Sequence, residues 1–269
     1  MQESFYTLPG PERLCLALVS DLHSFPGDAA LASLEKRRPE LICVAGDFVL
    51  GRAPREGLKL ESCPETMAFF RACAALAPTF VSLGNHEWML VPEDLALIED
   101  TGAVLLDNTW AHWRGLCIGG LTPGRIGHYR AFCAGSESGE RYPLPPHTRR
   151  YGARVPPETG WLADYAAEPG YKLLLCHQPE YWPRHVRDLP IDLTLSGHAH
   201  GGQIRLFGQG LFAPGQGILP RYTSGVYENR LVVSRGLANT TIVPRLFNPT
   251  ELVYIQLQNR EAGDTPWKK

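Results

Sequence analysis

Five short stretches carry the side chains that could do chemistry: Asp21-Leu22-His23, Gly46-Asp47, Gly84-Asn85-His86-Glu87, His177, and Gly197-His198-Ala199-His200. Neutral imidazole is the commonest metal ligand in proteins, and glycines leave room for a ligand to approach a loop that projects two histidines. Together the stretches offer two carboxylates, one amide oxygen and several imidazoles. That mixture suits borderline divalent cations such as Mn²⁺, Fe²⁺ or Zn²⁺ better than Mg²⁺ or Ca²⁺, which prefer oxygen alone. It is also more than one ion needs; two ions sharing a bridging carboxylate would use all of it. Taken singly, each stretch has a plain explanation. Asp21-Leu22-His23 reads as a helix cap beside a surface histidine, Gly46-Asp47 as a turn, and His177 as a satisfied core histidine. Those explanations do not account for where the stretches fall.

They fall at strand ends. Residues 13–20, 41–45, 79–83, 171–176 and 191–195 are short apolar runs bounded by turn residues, which predicts buried strands. Each donor stretch follows one of these runs, and in α/β sheets the C-terminal strand edge is where ligands bind. Helices are predicted over 28–38, with Asp28 as cap, over 64–77, 92–100 and 156–167, and for a short piece near 180–187. Residues 109–113 and 116–121 read as a hairpin about Arg114-Gly115, and Glu228-Asn229-Arg230 as a second hairpin turn. Residues 231–234 and 251–257 alternate like antiparallel strands. The strand–helix alternation of the first part and the antiparallel pattern of the last predict an α/β (α+β) fold: two packed mixed β-sheets flanked by helices.

The 269 residues are 44% hydrophobic and 20% charged, enough to build a sizeable core. A net charge of −2 argues against a general nucleic-acid binder, so no nucleic acid is expected as partner. Seven cysteines, an odd number with no Cys-x-x-Cys pair, are expected to be reduced, which places the protein in the cytoplasm. No run approaches a membrane span. Residues 123–155 show no clear period and collect Arg125, His128, Arg130, Arg149, Arg150 and several aromatics; a loop of that length is either functional, here as a lid, or a solvated insertion.

The order Asp-x-His, Gly-Asp, Gly-Asn-His-Glu, His, Gly-His-x-His over residues 13–205 resembles the calcineurin-like metallophosphoesterase superfamily. Gly-Gly-Gln-Ile-Arg after the histidine pair, Ser234-Arg235-Gly236 and Pro244-Arg245-Leu246-Phe247-Asn248-Pro249 resemble its bacterial YkuE/YaeI-type branch, which includes the chlamydial type of UDP-2,3-diacylglucosamine pyrophosphatase. The resemblance implies one metallophosphoesterase domain over 1–269, a four-layer sandwich, interrupted by the basic and aromatic insertion at 123–155. It implies two divalent metal ions, the first held by Asp21, His23 and His200, the second by Asn85, His177 and His198, with Asp47 bridging. His86 would face the substrate phosphate and protonate the leaving group or hydrogen-bond a phosphoryl oxygen, with Glu87 orienting it. The implied reaction is in-line hydrolysis of a phosphate ester or diphosphate bond in a nucleotide- or lipid-linked small molecule by a metal-bridging hydroxide. Peripheral membrane contact stays open on the same grounds. Arg149, Arg150 and Arg235 are the candidate substrate-phosphate contacts. Two other readings stand beside this one: a phosphomonoesterase or protein phosphatase of the same fold, and a non-catalytic scaffold that has kept the metal ligands.

Overall fold

A computed structural model describes residues 1–52, 54, 56–136, 155–240 and 243–259. Two six-stranded mixed sheets form its centre. The first has the order β1 (Gln2–Gly10), β16 (Glu251–Asn259), β2 (Leu14–Val19), β3 (Leu41–Ala45), β4 (Thr79–Ser82), β5 (Val104–Leu106). The second runs β14 (Gly225–Tyr227), β15 (Leu231–Val233), β9 (Leu193–Ser196), β8 (Tyr171–Cys176), β7 (Leu116–Leu121), β6 (Thr109–Trp113). Helices α1 (Asp28–Arg37), α2 (Pro64–Leu76) and α3 (Pro92–Glu99) accompany the first sheet. Helix α5 (Leu162–Ala167) and the turns over 179–186 accompany the second.

The sequence explains the layering. Along β2, Leu14, Leu16 and Leu18 face the second sheet's Leu173, Leu175, Leu193 and Leu195, while Ala17 and Val19 face Leu34 and Phe70 of the helical layer. A strand covered on both faces must be apolar throughout, which is why these runs do not alternate. On the far side of the second sheet, Cys117, Leu174 and Cys176 pack on Tyr165 and Trp182. The result is helix, sheet, sheet, helix, in agreement with the expected sandwich. Phe70 is fully buried and meets Phe48 edge-on at 5.1 Å, so truncating it to alanine should cost about 3–5 kcal/mol.

Several expectations are corrected. Strand β1 was not foreseen, because its polar residues and Pro9 disguise an edge strand whose burial alternates only weakly; it pairs parallel to β16 over nine residues. Asp28 is the first residue of α1 and not its cap. Gly27 takes the cap position, where any Cβ would lie 2.2 Å from the Phe69 ring. The helix predicted over 156–167 shrinks to Leu162–Ala167, since Pro156 and Pro157 supply no N–H and hold the preceding backbone extended. Conversely, the aperiodic stretch from 123 opens with a regular helix, α4 (Gly124–Ala134). Strands β15 and β16 each pair antiparallel on one side and parallel on the other, so the closing strands are mixed. Among the described residues no helix is long and apolar enough to cross a membrane.

Candidate metal centre

The ends of β2, β3, β4, β8 and β9 lie side by side, and the loops beyond them continue the strand pairing. Asp21 N–H donates to Gly46 O at 3.1 Å and His23 N–H to Asp47 O at 3.0 Å. From β9, Gly197 passes so close to Asp21 that a Cβ there would sit 2.5 Å from its Oδ2. His198 N–H then donates to both Asp21 carboxylate oxygens, at 3.1 and 3.2 Å. Gly84 leaves the same kind of room for Asp47, whose Oδ1 accepts from His86 N–H at 2.7 Å. Asp21, His23, Asp47, His198 and His200 all have φ between +46° and +63°. Residues other than glycine visit this region at a cost, and such strain gathers at functional sites.

Two sets of three donors result. The ligand atoms of Asp21, His23 and His200 lie within 4.8 Å of one another, as do those of Asp47, His177 and His198. Asp47 also groups with His23 and His86, so it stands between the sets. All six residues of the two sets are buried. Buried polar atoms are nearly always hydrogen-bonded, yet Nε2 of His23 and His198 and Oδ1 of Asn85 find no hydrogen-bonding partner in the protein. Unpartnered donor atoms converging on one space are what a cation site requires, and the mixture of O and N fits a borderline divalent ion.

Electrostatics keep the lone pairs of His23 and His198 available. Burial pushes His198 down to about 3 and His23 down to about 4, so both rings are neutral at pH 7. Burial would raise the pKa of Asp21, but His200, His177 and His23 overcome it and hold the carboxyl below its ordinary value. For His177 burial acts downward and loses to the Asp47 carboxylate, 3.0 Å from Nε2, which lifts the ring to about 10. Its Nδ1–H donates to Ala45 O at 2.6 Å, so Nε2 is the atom turned to Asp47. His177 would hold a cation through Nε2 only after giving up the proton there.

His86 is wired the opposite way. Gly51 N–H donates to its Nδ1 at 3.0 Å, so in the neutral ring the proton sits on Nε2. That Nε2–H lies 3.9 Å from Asp47 Oδ2, at the partly exposed mouth of the site. A ring in this tautomer offers a proton and not a lone pair. Glu87 does not orient it, contrary to expectation. The Glu87 carboxylate is buried and accepts from the N–H groups of Asp47, Val49 and Gly84 at 2.8, 3.0 and 2.6 Å, tying the β3 and β4 loops together.

Of the three arginines named from sequence, only Arg235 lies among the described residues. Arg149 and Arg150 lie outside the described residues, as does most of the expected lid. Arg235 turns to the β1–β16 edge, with Nε 3.7 Å from Glu251 and Nη1 3.3 Å from Gln2 Oε1, because the buried Glu251 carboxylate needs donors. Arg245 is at the centre instead: its Nη2 donates to His200 Nδ1 at 2.9 Å. Ligation by His200 through Nε2 therefore requires Arg245 to release the ring. Arg125, on the first turn of α4, lies over the Trp88 ring at 5.4 Å and feels the Asp47 charge. Sequence reasoning also passed over Glu180, whose buried Oε1 is 3.7 Å from His198 Nε2 and which burial pushes up to about 7. Asn248 was likewise missed; it donates to His200 O and Gln203 O at 2.7 and 3.1 Å and holds the histidine loop. The signal for Arg245 and Asn248 was their place in the stretch 244–249, and Glu180 had only its nearness to His177; polar residues in loops are too common for either to single them out.

Residues 16–202 match the calcineurin-like phosphoesterase family. The chain belongs to that family, and its class is that of metal-dependent hydrolases of phosphoric ester bonds. Among characterised and uncharacterised relatives, it is 28% identical to phosphodiesterase YaeI of Escherichia coli over 240 residues, 83% of this chain and 75% of that protein. It is 34% identical to the uncharacterised metallophosphoesterase YkuE of Bacillus subtilis over 93 residues, a match spanning 33% of this chain and about a third (32%) of YkuE. Among solved structures, a dimetal phosphatase from Danio rerio covers 83% of this chain and 87% of its own at a TM-score of 0.49 and 14% identity.

Proposed function

We propose that this protein is a dinuclear-metal phosphohydrolase acting on a diester or diphosphate bond of a nucleotide- or lipid-linked substrate, built as one domain over residues 1–269. The observation that carries the reading is the pair of buried three-donor sets meeting at Asp47, with unpartnered lone pairs on His23, His198 and Asn85. Asp21, His23 and His200 would hold one cation, Asn85, His177 and His198 the other, and Asp47 both. Two cations so held supply an activated water at neutral pH and positive charge for the phosphoryl oxygens. The chain's own residues do the rest. Burial excludes bulk solvent from the donor sets, and Glu87 fixes the backbone that aims Asp47 and Asn85. His86 stands outside the sets with a proton on Nε2 and gives it to the leaving oxygen as the P–O bond breaks. Arg125 lies over Trp88, whose Nε1–H donates to the carbonyl of Gly51, the residue that bonds His86, and would pair with the non-reacting phosphate.

The name of the YaeI relative supports a diester in place of a monoester. The test is hydrolysis by the Mn²⁺-loaded protein of bis-p-nitrophenyl phosphate, p-nitrophenyl phosphate and UDP-diacylglucosamine. The diester or the diphosphate is expected to exceed the monoester in kcat/KM by at least tenfold. A monoester preference would make it a phosphomonoesterase of the same fold, and inertness with Mn²⁺, Fe²⁺ and Zn²⁺ alike would make it a scaffold.

A further inference from the structure

After the histidine loop the chain makes an excursion that the hydrolytic site does not use. Two small hairpins, β10 (Arg205–Leu206) with β11 (Gln209–Gly210) and β12 (Phe212–Ala213) with β13 (Gly217–Ile218), are joined to each other through Leu211. They are tied to the segment 243–247 by the Ile204–Leu246 bridge and the Arg205 N–H to Leu246 O bond. Folded proteins hide most of their large apolar side chains and scatter the rest. Here eight of the thirteen exposed large hydrophobics among the described residues fall between 206 and 247. Phe207, at the tip of the first hairpin, is fully exposed; Ile218 is 82% and Phe247 81% exposed, and Leu206, Leu219 and Leu246 flank them.

Beneath this rim lies a cavity of about 230 Å³ lined by Ile204, Leu211, Phe212, Pro214 and Val243, with His200 in its wall. An occupant of the cavity is therefore in contact with a residue of the candidate metal centre. The charge of the region is also one-sided. Over residues 201–227 and 243–247 the chain has three arginines and neither a lysine nor an acid, in a protein whose overall charge is −2; of the three, Arg245 turns inward to His200 and Arg205 bonds to Gly201 O and Thr223. Arg221 is exposed at this surface, over the Tyr222 ring. Exposed aromatic and aliphatic tips with arginines among them are the composition that enters the boundary of an anionic bilayer.

We propose that the rim formed by the two hairpins and the 243–247 segment docks on an anionic lipid bilayer and that the cavity against His200 receives an alkyl chain of a lipid whose phosphate reaches the metal centre. A protein partner on the same rim would cover the mouth of that cavity, whereas a bilayer supplies what fills it. The part concerning the cavity rests on the hydrolase reading; the docking does not.

Co-sedimentation with vesicles tests the docking. Wild-type protein should pellet with vesicles of phosphatidylcholine containing a quarter phosphatidylglycerol, and at least tenfold less with phosphatidylcholine alone. The pair Phe207→Ser with Phe247→Ser, at solvent-exposed positions, should reduce binding to the mixed vesicles at least tenfold while metal content and thermal unfolding stay as in the wild type. Arg221→Glu should remove the preference for phosphatidylglycerol. Calorimetry with octyl phosphate against ethyl phosphate tests the cavity: the longer chain should bind at least tenfold more tightly to the Mn²⁺-loaded protein, and Val243→Trp should abolish the difference. Wild-type protein that stays in the supernatant with both vesicle types overturns the docking. So does a self-association that the Phe207 and Phe247 substitutions dissolve without any vesicle binding, which would assign the rim to a second copy of the chain. Equal affinity for the two alkyl phosphates overturns the cavity assignment. A protein that binds vesicles through Phe207 but hydrolyses no phosphoester would leave the docking standing and sink only the hydrolase reading.

Discussion

His86 and Arg245 show how one hydrogen bond decides what a histidine can do. Gly51 N–H on Nδ1 makes His86 a proton donor at Nε2, so His86→Ala should keep both metals while kcat on bis-p-nitrophenyl phosphate falls about 10²–10⁴-fold. Elemental analysis together with steady-state kinetics checks this; full metal and a near-normal rate would remove His86 from the chemistry. His200 carries a donor on Nδ1 as well, but from a guanidinium that is always charged. Arg245 thus opposes the first cation twice, by holding the ring in the wrong tautomer and by placing a positive charge near Asp21. Arg245→Met should bind the first Mn²⁺ at least fivefold more tightly, read by titration calorimetry. Weaker binding would mean that Arg245 holds His200 in its ligating pose. Asp47→Ala should lower the metal stoichiometry below two, because Asp47 belongs to donor groups on both sides.

At the scale of the element, what positions the site is the junction of the β3 and β4 loops. Glu87 accepts three backbone N–H groups there and is fully buried. Removing an acceptor leaves each buried donor unsatisfied at a cost of about 1–3 kcal/mol. Glu87→Ala should therefore destabilise the metal-free protein by about 3 kcal/mol or more in urea unfolding and weaken Mn²⁺ binding. A loss under about 1 kcal/mol would mean that water replaces the carboxylate without consequence. The same junction explains why Gly84 must stay small: the backbone of one loop passes against the carboxylate of the other.

At the scale of the molecule, the site is assembled from both sheets. Asp21, Asp47 and Asn85 follow strands of the first, and His177, His198 and His200 follow strands of the second. Cations that bind only when the two sheets are packed stabilise the folded state by about 2.7 kcal/mol when free metal is a hundredfold above Kd. Mn²⁺ should thus raise the Tm by several degrees, and a chelator should return it. A Tm indifferent to Mn²⁺, Fe²⁺ and Zn²⁺ would deny that the donor sets hold a cation across the sheets.

Local composition was enough to locate the strand ends, the hairpins about Arg114-Gly115 and Glu228-Asn229, and the eight polar residues that follow the strand ends of the two sheets. A buried strand must be an unbroken apolar run, and a turn must carry residues that tolerate positive φ, so both leave their mark in adjacent residues. Partnerships between distant residues leave no such mark. That Asp21 meets His198 across 177 positions, that Glu87 serves Asp47 and not His86, and that Arg245 and not Arg235 reaches the centre were decided by packing. A buried charge takes whichever donor the fold brings within about 3 Å, and only the three-dimensional path of the chain settles which one that is.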